Sequence, residues 1–91
     1  MKTHELKTWP GSFQAVWDGD KTAEFRLDDR GFEVGDTLVL KEWGPIKKEY
    51  SGRIICAIIT HILRGPGFGF PKGYAMLSLR CGTFGMEDVK P

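Results

Sequence analysis

Gly19-Asp20-Lys21-Thr22-Ala23-Glu24-Phe25-Arg26 sets a cation, an anion and a second cation behind a glycine turn. If Thr22 to Asp28 is a strand, Ala23, Phe25 and Leu27 point one way and Thr22, Glu24, Arg26 and Asp28 the other, because strand side chains alternate. Glu24 and Arg26 then share a face, roughly 7 Å apart along the strand. Lys21, in the turn before it, carries a stem long enough to curl back to Glu24. The alternation predicts a buried Phe25, with Glu24 and Arg26 opening onto a cleft.

The flanking segments place this strand in a small, mainly β domain. His4 to Lys7 alternates and reads as a first strand. Thr8-Trp9-Pro10 reads as a helix entry, with Thr8 as cap and Pro10 in the first turn, where its missing N–H costs nothing. Phe13, Val16 and Trp17 recur at helical spacing, so one short helix near the N-terminus should plug a barrel, and Gly19 should stop it. Thr37 to Trp43 and Arg53 to Leu63 read as further strands, the second apolar on both faces, with Ile58 and Ile62 on one side and Ile55 and Ile59 on the other. A strand of that kind suits a closed barrel. Leu38, Leu40, Ile58 and Leu77 are expected in the core. Tyr74 to Arg80 should close the sheet, and residues 81–91 read as a loose tail of a single domain spanning 1–91.

Thirteen Lys and Arg against twelve Asp and Glu leave a net charge of +1. The chain thus lacks the basic excess that supports tight, sequence-independent binding to long nucleic acid. Near-balance favours a pocket for one nucleotide or small metabolite, or a protein partner. Cys56 and Cys81 lack CxxC spacing and read as buried thiols. His4 and His61 are too few for a metal centre, and His61, in an apolar strand, reads as a structural histidine. No cofactor, metal or membrane association is expected, and the expected compartment is the cytoplasm.

The pattern G-x-K-x-x-E-x-R over Gly19 to Arg26 resembles the signature of the ASCH domain, a branch of the PUA-like superfamily. Its four fixed residues should coincide by chance at about one start position in 10^5. His4-Glu5-Leu6-Lys7, Phe13, Arg30-Gly31-Phe32, Val34-Gly35-Asp36 and Tyr74 to Leu79 extend the likeness to a subfamily of very small ASCH proteins from bacteria and phages. The resemblance implies an α+β, mainly β, PUA-like small β-barrel that deals with RNA or a modified nucleoside. Lys21, Glu24 and Arg26 would line its cleft, with Lys7, Trp9 and Ser78 as peripheral contacts.

Some ASCH proteins are amidohydrolases that remove the acetyl group from N4-acetylcytidine, using the motif lysine, a threonine at the position of Glu24 and a glutamate farther along. Here Lys21 is present, Glu24 replaces the threonine, and the long helical segment carrying the other glutamate is missing. A hydrolytic reading therefore requires a rearranged site in which Glu24 activates water and Lys21 polarises the carbonyl. A third reading is a phage-type module that binds a host protein and uses the barrel as scaffold. Trp9 and Trp43, with Phe68 and Phe70, are candidate base-stacking faces, whereas Trp17 is in phase with the helix core. The glycine-rich segment Arg64 to Gly73 opens no helix and reads as a long hairpin loop or a lid beside the site, not a phosphate loop.

Overall fold

The computed structural model describes residues 1–87. Its elements are β1 (Thr3–Thr8), α1 (Pro10–Trp17), β2 (Ala23–Leu27), β3 (Thr37–Gly44), β4 (Glu49–Arg64) and β5 (Tyr74–Met86). They form one sheet in the order β1-β3-β4-β5-β2, with β1 and β3 parallel and the other neighbours antiparallel. The long central strands allow the sheet to curl into a half-barrel. Its two edges are not joined by backbone pairing among the described residues, so the expected full closure is replaced by an open seam.

Inward rows follow the register. His4, Leu6 and Thr8 on β1 stand beside Leu38, Leu40 and Glu42 on β3, and all six are buried. Ala57 and Ile55 continue the rows across β4, and Phe13 and Val16 of α1 join them in the core. Leu38, Leu40 and Leu77 are fully buried as expected, but Phe25 and Ile58 are 49% and 39% exposed. Ile58 lies outward because Ile55, Ala57 and Ile59 take the inner face of β4. The strand is therefore buried on one side and only half-covered on the other.

Two bulges change the phase. Between Ile59 and His61 an extra residue enters β4, so Ile62 pairs with Leu77 and joins the inner face instead of following Ile58. His61 turns outward and is exposed; the buried histidine is His4. A second bulge, opposite Cys56 and Ala57, lets β5 run on to Met86 where a loose tail was expected. Past Gly82 the phase shifts, and Phe84 and Trp17 pack edge to face with ring centres 5.4 Å apart. Residues 88–91 of that tail lie outside the described residues. Cys56 and Cys81 are free and half-buried, and burial pushes the Cys81 thiol up.

At the start of α1 the cap is Trp9, not Thr8, and no side chain bonds to the first turn. Thr8 instead ends β1 and faces inward. No helix among the described residues is long and apolar enough to cross a membrane.

Asp36, at the entry to β3, ties three segments together. Its Oδ1 accepts from the Lys2 amide at 3.0 Å, while Oδ2 accepts from the Glu33 amide at 3.1 Å and meets His4 Nε2 at 2.9 Å. The Lys2 amide and the His4 ring hold its carboxyl down from 3.8 to about 2. A depressed folded-state value means that the carboxylate's contribution is present above pH 3.8 and is lost as pH falls through about 2. Asp36→Asn should therefore lower the denaturation midpoint at neutral pH, and its difference from wild type should shrink between pH 3.8 and about 2. Urea titrations across that window check this; a constant difference would remove the charge from the account.

Candidate functional site

The motif strand faces the opposite way from its apolar alternation. Glu24 stands in the same row as Leu77 and Arg26 in that of Ala75, both fully buried, so the polar side of β2 looks into the half-barrel. Glu24 is 4% exposed. Phe25 and Leu27 lie outside, where Phe25 stacks on Tyr74 at 5.4 Å and meets Phe70 at 5.1 Å. An outer aromatic cluster thus compensates Phe25 for leaving the core. The charged face is accommodated because Glu24 enters with two counter-cations.

Gly19 positions the first of these. With φ at 81° it reverses the chain, and the amides of Asp20 and Lys21 both reach the Ala15 carbonyl at 2.9 and 3.0 Å. Lys21 is thereby fastened to the end of α1, and its Nζ donates to the Ala23 carbonyl and, at 2.9 Å, to Glu24 Oε1. Arg26 Nε donates to Glu24 Oε2 at 3.0 Å and Nη2 to the Lys7 carbonyl of β1 at 2.8 Å. The cluster spans the helix end and both edges of the sheet.

These groups line a cleft of about 420 Å³ together with Lys7, Thr8, Trp9, Ser12 and Phe25. Five of the expected site residues therefore meet: Lys21, Glu24, Arg26, Lys7 and Trp9. Ser78 does not. It pairs with Ala23 on the outer phase of β5, while Leu77 and Leu79 take the inner one. Ser12 and Thr8 were not expected in this site; Ser12 arrives there because α1 starts immediately after β1. Trp9 is 62% exposed at the rim. Trp43 is half-buried beneath Lys7, whose Nζ lies 4.5 Å from its ring centre. Phe70 of the glycine-rich loop packs outside against Phe25, and no residue of that loop lines the cleft. Among the described residues no cluster of metal-ligating side chains occurs.

Sequence inspection overlooked a second carboxylate–guanidinium centre. Glu42 accepts from Arg53 Nε at 3.0 Å, Arg53 Nη2 at 2.9 Å and the Ser51 hydroxyl at 2.6 Å. The Arg53 hydrogen bonds hold the Glu42 carboxyl below its ordinary value, outweighing burial. The available signal was phase, since Glu42 continues the inward row of Leu38 and Leu40.

A helix-plugged β half-barrel with a polar cleft at its seam is the class of protein defined here. Residues 3–79 match the family described as a domain of unknown function, DUF3850, and the chain belongs to that family. Over 61 residues it is 44% identical to an uncharacterized 12.9 kDa protein in the GpA 3′ region of Escherichia phage P2. That likeness covers 67% of this chain and 54% of the phage protein, so the chain spans about half the length of this relative.

Because Glu24 is buried between cations that water still reaches, Glu24→Gln should cost about 1–2 kcal/mol of stability, and Arg26→Ala a similar amount through the lost contact to Lys7. Urea denaturation checks this. Stability unchanged in both variants would show that the cluster does not hold the seam.

Proposed function

We propose that this protein is an ASCH-type, PUA-like domain that binds a nucleoside unit, free or within RNA, in the cleft formed by Lys21, Glu24 and Arg26. The observation that carries this reading is the convergence of the three motif residues, with hydrogen-bonding capacity to spare, beside exposed aromatic surface. An ammonium has three donors and Lys21 uses two; a guanidinium has five and Arg26 uses two. Glu24 retains acceptor lone pairs on both oxygens. The cleft therefore offers several donors and one acceptor group, which suits the carbonyl and amino edge of a pyrimidine. Trp9, exposed at the rim, supplies apolar surface for its ring. A volume of about 420 Å³ falls within the range usual for small-molecule sites.

Binding is favoured over hydrolysis by the same geometry. Lys21 is a donor in both its contacts, and Glu24 has each oxygen facing a cation. The hydroxyls at the cleft belong to Thr8 and Ser12, not to the motif position. An N4-acylated cytidine would be held by its carbonyl against Lys21, with turnover slow or absent.

Titration calorimetry with the four common nucleosides and N4-acetylcytidine tests the reading. Lys21→Ala should weaken binding by roughly 1–3 kcal/mol, the usual worth of a charge-assisted hydrogen bond. Equal affinity in wild type and Lys21→Ala would make the cluster purely structural. Chromatography of the N4-acetylcytidine samples should show little or no cytidine, and any release should vanish in Lys21→Ala; fast release persisting in that variant would refute the assigned roles.

A further inference from the structure

We propose that the cavity on the far side of the Arg26–Lys7 bridge is a phosphate subsite, so that the preferred ligand is a nucleotide and not the bare nucleoside. This inference rests on the nucleoside reading of the cleft. The second cavity, about 400 Å³, is lined by Glu5, Leu6, Lys7, Arg26, Arg30, Lys41 and Tyr50. Lys7 and Arg26 also line the cleft, so the two spaces adjoin at the seam and share these two residues. A base in the cleft and a phosphate one sugar away would lie on either side of Arg26.

Basic side chains dominate the charged lining of this cavity. Lys7, Arg26, Arg30 and Lys41 line it against one carboxylate, Glu5, in a chain whose overall net charge is only +1. Some of that charge is already paired: Lys41 lies 3.4 Å from Glu5 and 3.0 Å from Glu87, and Arg30 Nε lies 3.5 Å from Asp29. Lys7 is not. Its ammonium rests over the Trp43 ring at 4.5 Å and contacts no carboxylate among the described residues. Arg26 has Nε on Glu24 and Nη2 on the Lys7 carbonyl, which leaves donors on Nη1 uncommitted.

Arg30 is held at this cavity by donating from Nη1 to the Glu5 carbonyl at 2.7 Å. An anion placed here meets the Lys7 ammonium, resting on Trp43, and two guanidinium groups that the fold has already anchored through other hydrogen bonds. Tetrahedrally arranged phosphate oxygens can accept from donors arriving in several directions. The phosphate can belong to a free nucleotide or to a single strand; the recognised chemistry is the same.

Titration calorimetry at fixed low salt should use the tightest-binding nucleoside, its 5′-monophosphate, and a trinucleotide with that base at its centre. The monophosphate, the trinucleotide or both should bind about tenfold or more tightly than the nucleoside, and that gain should fall as salt rises. A trinucleotide that outperforms the monophosphate identifies a strand as the source, and the reverse order identifies a free nucleotide. Arg30→Gln and Lys41→Gln, whose side chains line the second cavity and not the cleft, should each remove part of the gain and leave nucleoside affinity unchanged. Thermal melts confirm that they fold, and the wild-type comparison needs no variant. Nucleoside binding without any phosphate gain, or a gain intact in both variants, overturns this inference alone. No binding by any probe overturns it together with the reading on which it rests.

Discussion

Arg26 joins two edges that the hydrogen-bonded order of the sheet puts farthest apart. β2 and β1 are the terminal strands of a five-stranded sheet, yet Nη2 of Arg26 on the first lies 2.8 Å from the Lys7 carbonyl of the second. Only a strongly curled sheet brings them so close. Exposed strand edges carry unpaired backbone groups that invite pairing with other chains. Here the carbonyls of Glu5 and Lys7, two residues apart and so on the same side of β1, accept from Arg30 and Arg26. The seam is closed by side chains reaching across it where backbone pairing would otherwise complete a barrel.

That closure dictates the unusual facing of β2. For Arg26 to reach Lys7 its side chain must lie on the inner side of the sheet, and period-two alternation then carries Glu24 inward with it. A carboxylate in that position requires counter-charge, supplied by Arg26 itself and by Lys21 from the end of α1. The motif spacing thus acquires a structural cause: glycine turns the chain, lysine closes on the strand, glutamate joins the two cations, and arginine spans the gap. Phe25 and Leu27 are forced out by the same alternation and find Tyr74, Phe70 and Gly73 outside.

Most elements were legible because periodicity and turn chemistry are local. The helix from Pro10, its stop at Gly19 and the approximate extents of β1, β2 and β3 all follow from nearby residues. The meeting of Lys21, Glu24, Arg26, Lys7 and Trp9 was legible from the motif and its neighbours. Non-local properties were hidden. Hydrophobicity alone assigned Phe25 inward, whereas the edge-to-edge contact of Arg26 reversed the face. Bulges after Ile59 and near Gly82 are single-residue changes of phase with no local signature, and they misplaced Ile62, His61 and the residues beyond Arg80. Ser78 was assigned from proximity in the sheet, but its own alternation with buried Leu77 and Leu79 sends it outward.

A buried carboxylate beside an arginine is not in itself a ligand site, and the molecule contains the comparison. Glu42 receives three hydrogen bonds, two of them from Arg53 and one from Ser51. Arg53 also donates to Gln14 Oε1, and its guanidinium lies 4.9 Å from each of the Phe13 and Trp17 ring centres. That centre commits its bonds and its faces to the protein, tying the β3–β4 hairpin to α1. Glu24 has one bond per oxygen, and Lys21 and Arg26 each keep donors beyond those that anchor them. Both centres hold α1 against the sheet. They differ in the hydrogen-bonding capacity left once the helix is held. At Glu42 the polar groups are matched internally, whereas at Glu24 the geometry is fixed by protein contacts while donors stay available in a cleft.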